Sequence, residues 1–212
     1  MADSLVEVVL ARDVMAMESI QKPALMRNLF ILSTRFPARI LSYNKMLGQL
    51  QDAGNTTTLA HYMEVLAKAF MASGLGRFSR GQARSRGSSP KLVLWSNALV
   101  SALSSPTFDQ ARADPSWWGR LVENAVGAHL VSGLRSLPHD VTYWRERDEE
   151  VDYVVQTSGT LWAIEVKSGR EGRASGLARF LRRYPDARPL IVGSGGMDLE
   201  EFLGHDPRSL LE

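Results

Sequence analysis

Residues 149–167 run EEVDYVVQTSGTLWAIEVK, two strand-like segments about the turn TSGT. In EEVDYVV and LWAIEVK the side chains at every second position share a face. With Thr157 to Thr160 as a four-residue hairpin turn, Val151 falls opposite Val166, Tyr153 opposite Ile164 and Val155 opposite Trp162. That face is wholly apolar and belongs against a core. The other face sets Asp152 directly opposite Glu165, with Lys167 beside Glu150 one step along. Opposed side chains have Cβ atoms roughly 5 Å apart, and like charges there are destabilising. Two carboxylates kept in such a place call for a cation. Close oxygen ligands beside an ammonium suit a hard divalent ion, so Asp152 and Glu165 are expected to bind Mg²⁺, with Mn²⁺ as a substitute.

The 212 residues can hold one large domain or two small ones, and 44% hydrophobic with 23% charged residues is ordinary for a globular chain. Net charge is +2, so the distribution of charge says more than its sum. Cysteine is absent, which excludes disulfides and thiolate metal sites and fits a reducing compartment. No apolar run approaches the roughly 18 residues of a membrane span. The start, MADSLVEVVLARD, lacks a basic leader ahead of a long apolar core. The expectation is a cytoplasmic protein with no membrane partner.

Upstream, apolar residues recur at helical spacing over about 23–32, 41–50 and 57–71, the last opened by the capping run Asn55-Thr56-Thr57-Thr58. Three short helices with a tight turn before the third match a helix-turn-helix. The segment 74–91, GLGRFSRGQARSRGSSPK, carries Arg77, Arg80, Arg84, Arg86 and Lys91 and no acid, and KLVLW reads as a returning strand. A strand, basic loop and strand after the third helix is the pattern of a winged helix. The basic residues of that wing, with Thr57, Thr58 and His61 at the start of the third helix, are then candidate DNA contacts. A short helix and a linker are expected from Ala98, and a domain boundary at ARADPSWW, dividing the chain into 1–110 and 111–212.

After the boundary the pattern is a long amphipathic helix at about 118–134, strands near 140–144, 151–156 and 161–168, a basic helix at 176–184, and a strand at 189–193. This αβββαβ order describes an α/β domain with a central mixed sheet. On the basic helix Arg179, Arg182 and Arg183 share one face beside the carboxylates, a second candidate for phosphate contact. Other chemistry is not supported. There is no G-x-x-x-x-G-K-[ST], so no P-loop, no H-x-x-x-H pair among four scattered histidines, and no G-x-S-x-G. GSGGMD at 193–198 reads as a strand-to-helix turn, and Trp117 and Trp118 as packing residues.

A helix with Glu123, a strand with Asp152 and a strand with Glu165-x-Lys167 resemble the PD-(D/E)XK nuclease fold, with EVD in place of Pro-Asp. The resemblance implies that Asp152 and Glu165 hold Mg²⁺ with the Val166 carbonyl as a third ligand. It makes Lys167 and Glu123 the catalytic side chains, Lys167 orienting or deprotonating a water and Glu123 adding a ligand directly or through water.

The likeness extends further. The run 13–80, SRGSSPKLVLWSNALVSAL (85–103), GRLVENAVGAHL (119–130), YWRERDEEVDYVV (143–155) and WAIEVKSG (162–169) resemble the C-terminal half of a prokaryotic family of AAA-type ATPases of undefined function. There a P-loop domain precedes a winged helix and a nuclease-like region, which implies a link to DNA and to an ATPase partner. Here the ATPase half is missing, so the chain is expected to be a stand-alone remnant or a truncated reading frame. Trp95-Ser96-Asn97-Ala98 also replaces the Asp-Thr-Gly that often follows the strand. Two functions remain open: a Mg²⁺-dependent endodeoxyribonuclease, and an inactive DNA-binding or protein-interaction module.

Overall fold

The computed structural model describes residues 20–51, 54–80, 89–135, 140–157, 159–169 and 175–212. Among them the chain is mixed α and β, built on a two-stranded and a four-stranded sheet. Helix α1 (Pro23–Arg35) buries Leu25, Met26, Leu29, Phe30 and Leu32, the three- and four-residue spacing that gives a helix one apolar face. Helix α2 (Tyr43–Leu47) is capped by Ser42, and α3 (Thr56–Lys68) by Asn55, whose side chain accepts the Thr58 N–H at 2.9 Å. Strands β1 (Ala72–Leu75) and β2 (Lys91–Leu94) then pair antiparallel, Ala72 against Leu94 and Leu75 against Lys91. The expected wing tip, including Arg84 and Arg86, lies outside the described residues.

The segment expected to be a linker is helical. Helix α4 (Asn97–Leu103) is followed by α5 (Phe108–Ala113), nucleated by a reciprocal capping box between Thr107 and Gln110. Helix α6 (Pro115–Gly133) begins at once, because Asp114 accepts the N–H groups of Ser116 and Trp117 and Pro115 sits at the first turn. Helix α4 is the short helix expected from Ala98, and short capping signals place a further helix, α5, where the linker was expected.

The second sheet has the order β3 (Asp140–Glu146), β4 (Glu149–Gln156), β5 (Leu161–Lys167), β6 (Arg188–Gly193). The first two pairings are antiparallel, and β5–β6 is parallel, joined by the crossover that contains α7 (Ser175–Arg183). Helices α8 (Leu199–Gly204) and α9 (Pro207–Leu211) complete the chain. The β4–β5 register is the expected one as far as Tyr153 opposite Ile164 and Val155 opposite Trp162, but the expected pairs of Val151 with Val166 and of Asp152 with Glu165 do not form. Both faces of the sheet are covered. Tyr153, Val155 and Ile164 pack with Val126 and Leu130 of α6, while Val154, Leu161 and Ala163 pack with Leu177 and Phe180 of α7.

One local departure sets where the acids of β4 point. Thr142 pairs with Val154 but Trp144 with Val151, so Asp152 and Tyr153 stand opposite Tyr143 alone. This is a β-bulge, which re-aims the side chains on either side of it. It corrects the expected face: Val151 does not continue the row of Tyr153 and Val155 but packs with Val154 in the core under α7.

The two halves interlock. Past β1 the chain runs along the edge of β3, where the Phe78 N–H donates to the Tyr143 carbonyl at 2.6 Å and the Tyr143 N–H to that of Gly76 at 3.1 Å. Phe78 packs on Phe180 and Tyr184 in the core under α7. Buried Asn124 of α6 clasps β2, its Oδ1 accepting the Leu94 N–H at 2.9 Å and its Nδ2 donating to the Leu94 carbonyl at 3.0 Å. A second Nδ2 bond reaches Asn97 Oδ1 at 2.8 Å. Trp117 and Trp118 pack against the N-terminal core, as their sequence suggests.

Candidate functional site

Beyond the Tyr153–Ile164 pair, backbone pairing between β4 and β5 stops. The Val166 N–H donates to Asp152 Oδ2 at 2.8 Å, so a side chain takes the place of a strand carbonyl. Combined with the bulge, this turns Asp152 and Glu150 toward α6. Helix α6 can lie close to β4 because Gly127 has no Cβ, which would overlap the Tyr153 hydroxyl. That hydroxyl donates to the Glu123 carbonyl at 2.8 Å and sets the height of Glu123 over the strand. Carboxylate oxygens of Glu123, Glu150 and Asp152 consequently lie within 4.8 Å of one another, a grouping of hard oxygen donors that could hold a metal ion.

At the centre of this triad sits Lys91. Expected on the DNA-facing wing, it is 0% exposed, and a buried ammonium cannot reach a phosphate. Its Nζ lies 2.5 Å from Glu123 Oε1, 2.9 Å from Glu150 Oε1 and 3.5 Å from Asp152 Oδ1, and donates to the Asp152 carbonyl at 3.1 Å. It also stands 4.9 Å from the centre of the Tyr153 ring. Lys91 is the first residue of a fully buried strand, and an alternating wing strand would have put it outside; the clasp of β2 onto α6 carries it in.

Lys167 is displaced from its expected place. It does not neighbour Glu150; its Nζ donates to Glu165 Oε1 at 2.6 Å, two residues back on the same strand face. Glu165 is 7% exposed, and its Oε2 has no hydrogen-bond partner. It stands apart from the triad proper, yet close enough to feel Asp152. Burial pushes the Glu165 carboxyl up to about 7, aided by the Asp152 charge and opposed by Lys167. Burial likewise pushes Glu123 up to about 8, against Lys91 and with Asp152 and Glu150 adding to it. Burial alone would lower the Lys91 ammonium, but Glu123, Asp152 and Glu150 outweigh it and hold that group well above its ordinary value.

The remaining expected contacts are dispersed. Arg77, Thr57, His61 and Arg182 are exposed, and Thr58 is half-buried, bonded through its hydroxyl to the Asn55 cap at 3.1 Å. Arg80 makes a two-pronged pair with Asp186. Arg179 pairs with Glu146 and Glu149 at 3.2 Å each, and Arg183 with Glu146 at 3.4 Å. Much of the basic face of α7 is thus balanced by the β3–β4 hairpin. Sequence reading missed Lys91 and Glu150 as site residues. Glu150 carried a faint signal in its two-residue spacing from Asp152; Lys91 carried none.

Residues 118–204 match a domain of unknown function, DUF4143, a domain often found in proteins associated with AAA-type ATPases. Residues 1–110 match a second domain of unknown function, DUF8612. No curated protein matches the chain. Among solved structures, the crystal structure of protein VC1899 from Vibrio cholerae is similar at 15% identity with a TM-score of 0.22, over 90% of this chain and 46% of that one. The chain spans less than half of that protein, and a likeness at this score carries no argument about its fold. Among the described residues no helix is long and apolar enough to cross a membrane.

Proposed function

The chain belongs to the DUF8612 family, and we propose that it is a DNA-associated protein whose DUF4143-like half carries a nuclease-like Mg²⁺ site. The observation that carries this reading is a surplus of negative charge. Among the described residues, Glu123, Glu150 and Asp152 share Lys91 and Glu165 pairs with Lys167, and one buried oxygen of Glu165 lacks a partner. Burial, with the neighbouring carboxylates adding to it, raises Glu123 to about 8 and Glu165 to about 7. The donors are all hard oxygens, so the residues fit Mg²⁺: Asp152 would hold it with Glu123 and Glu150, and Glu165 would flank Asp152. When bound, the metal supplies polarisation of a phosphodiester and a water of lowered pKa.

The chain's own residues would do the rest. Lys167 holds Glu165 in place and is positioned to offset charge growing on a phosphate or to take a proton from the attacking water. Asp152, fixed by the Val166 N–H, presents its other oxygen to the site. Helices α1 to α3 with the β1–β2 pair form a winged-helix-like unit, in which exposed Thr57 and His61 head α3 and Arg77 follows β1. Supercoiled plasmid incubated with the protein and Mg²⁺ tests the reading. Nicking that depends on Mg²⁺ and is lost in Asp152→Asn is expected; no nicking, or nicking unchanged by the substitution, contradicts it.

A second reading has its own observation. Lys91 already neutralises part of the triad, and Arg80, Arg179 and Arg183 are paired within the chain. Both features suit a non-catalytic module that docks on DNA or on a separate ATPase. A gel shift whose affinity falls steeply with salt, without nicking, favours it.

A further inference from the structure

We propose that the Lys91 ammonium is the resident cation of the Glu123–Glu150–Asp152 triad, and that a divalent metal binds these carboxylates only by displacing it. The inference rests on the metal-site reading above and adds a competitor drawn from the other half of the chain.

Three observations carry it. Lys91 contacts every member of the triad and the Asp152 carbonyl, so its Nζ stands where a shared cation would stand. It is wholly buried, held over Tyr153 by a strand that Asn124 clasps at Leu94, so this is a built position and not the resting place of a surface side chain. Independently, Glu165 is buried close enough to feel the Asp152 charge, and although its Oε1 is paired with Lys167 its Oε2 has no partner, so a buried acceptor flanks the triad unfilled.

The consequence is mutual exclusion. An ammonium and a divalent ion repel strongly at these separations in a partly desolvated site, so both cannot be seated on the same three carboxylates. Metal loading therefore requires the Lys91 side chain to leave its place among the three carboxylates. The carboxylates accordingly act as a latch between the halves at rest and as ligands when the latch is drawn.

Mn²⁺ titration of the full-length chain, read by the loss of free-ion paramagnetic resonance signal, tests this in wild type and Lys91→Met, with circular dichroism confirming the fold of each. Affinity at least about tenfold higher in Lys91→Met is expected. Equal affinities overturn the inference while leaving the metal-site reading standing; absence of binding in both chains overturns the two together. If Lys91→Met does not fold, amine acetylation of the wild-type chain, read by mass spectrometry, replaces it. Lys91 should be protected without metal and become labelled at saturating Mn²⁺. Protection that persists with Mn²⁺ bound overturns the inference.

Discussion

At the scale of single residues, the site is a problem of uncompensated charge. Glu123 and Glu165 titrate at about 8 and about 7 in the folded chain, above the ordinary carboxylate value, so the folded state holds protons that the unfolded state has released. Stability from these two groups is therefore full below about pH 4.5 and is lost as pH rises through about 7 to 8. Urea denaturation across that range should show stability falling with pH, and Glu123→Gln should flatten the decline. A curve of unchanged slope in that variant would show that Glu123 is ordinarily ionised. Metal binding has the opposite sign, since ligands must be deprotonated: Mn²⁺ affinity should rise from pH 6 to pH 8.5. Removing Lys91 strands three carboxylates, so Lys91→Met should cost about 3–5 kcal/mol at pH 8 and less at pH 5. Equal cost at both values would mean that packing, not charge, is what Lys91 contributes. Asp152, Glu165 and Glu123 could be picked out in sequence as acids on two strands and a helix, but not how they would be brought together. Lys91 could not be picked out with them, because no acid lies near it in sequence and its partners lie in another half of the chain.

Among the elements, the β-bulge on β4 does the most to make the site. Strict alternation would point Val151 with Tyr153 and leave Glu150 and Asp152 on the face of Val154, under α7. The extra residue opposite Tyr143 turns the two acids toward α6 instead, where Glu123 waits. Nothing in EEVDYVV signals a bulge, since it contains no glycine and every residue suits a strand. Strand order, strand limits and the β4–β5 register could be read, because they follow from period and turn length; the local twist that aims the acids could not. The approach of α6 to β4 depends on Gly127. A methyl group there meets the Tyr153 hydroxyl, so Gly127→Ala should cost about 1–3 kcal/mol and weaken Mn²⁺ binding by lifting Glu123 off the strand. Loss of stability with metal affinity untouched would separate Glu123 from the site.

Over the whole molecule, the halves share more than a boundary. The sequence divides near residue 110, yet α6 packs in both cores, Phe78 completes the core under α7, and Asn124 holds β2. Such contacts between distant stretches leave no local trace in composition, and a linker was expected where α5 stands. Unfolding should accordingly be a single transition, coincident by tryptophan fluorescence and far-ultraviolet dichroism. Asn124→Ala, which strands the Leu94 N–H and carbonyl in the interior, should cost about 2–3 kcal/mol and draw the two probes apart. Probes that stay coincident in the variant would mean the halves are joined by other contacts. The central claim is that the carboxylates at the junction form a cation site shared between an ammonium and a divalent metal. Anomalous diffraction from crystals soaked in Mn²⁺ examines it most directly. We predict a peak on the Glu123–Glu150–Asp152 carboxylates, with the Lys91 side chain withdrawn from them; no peak there, with Lys91 still seated on the triad, would contradict it.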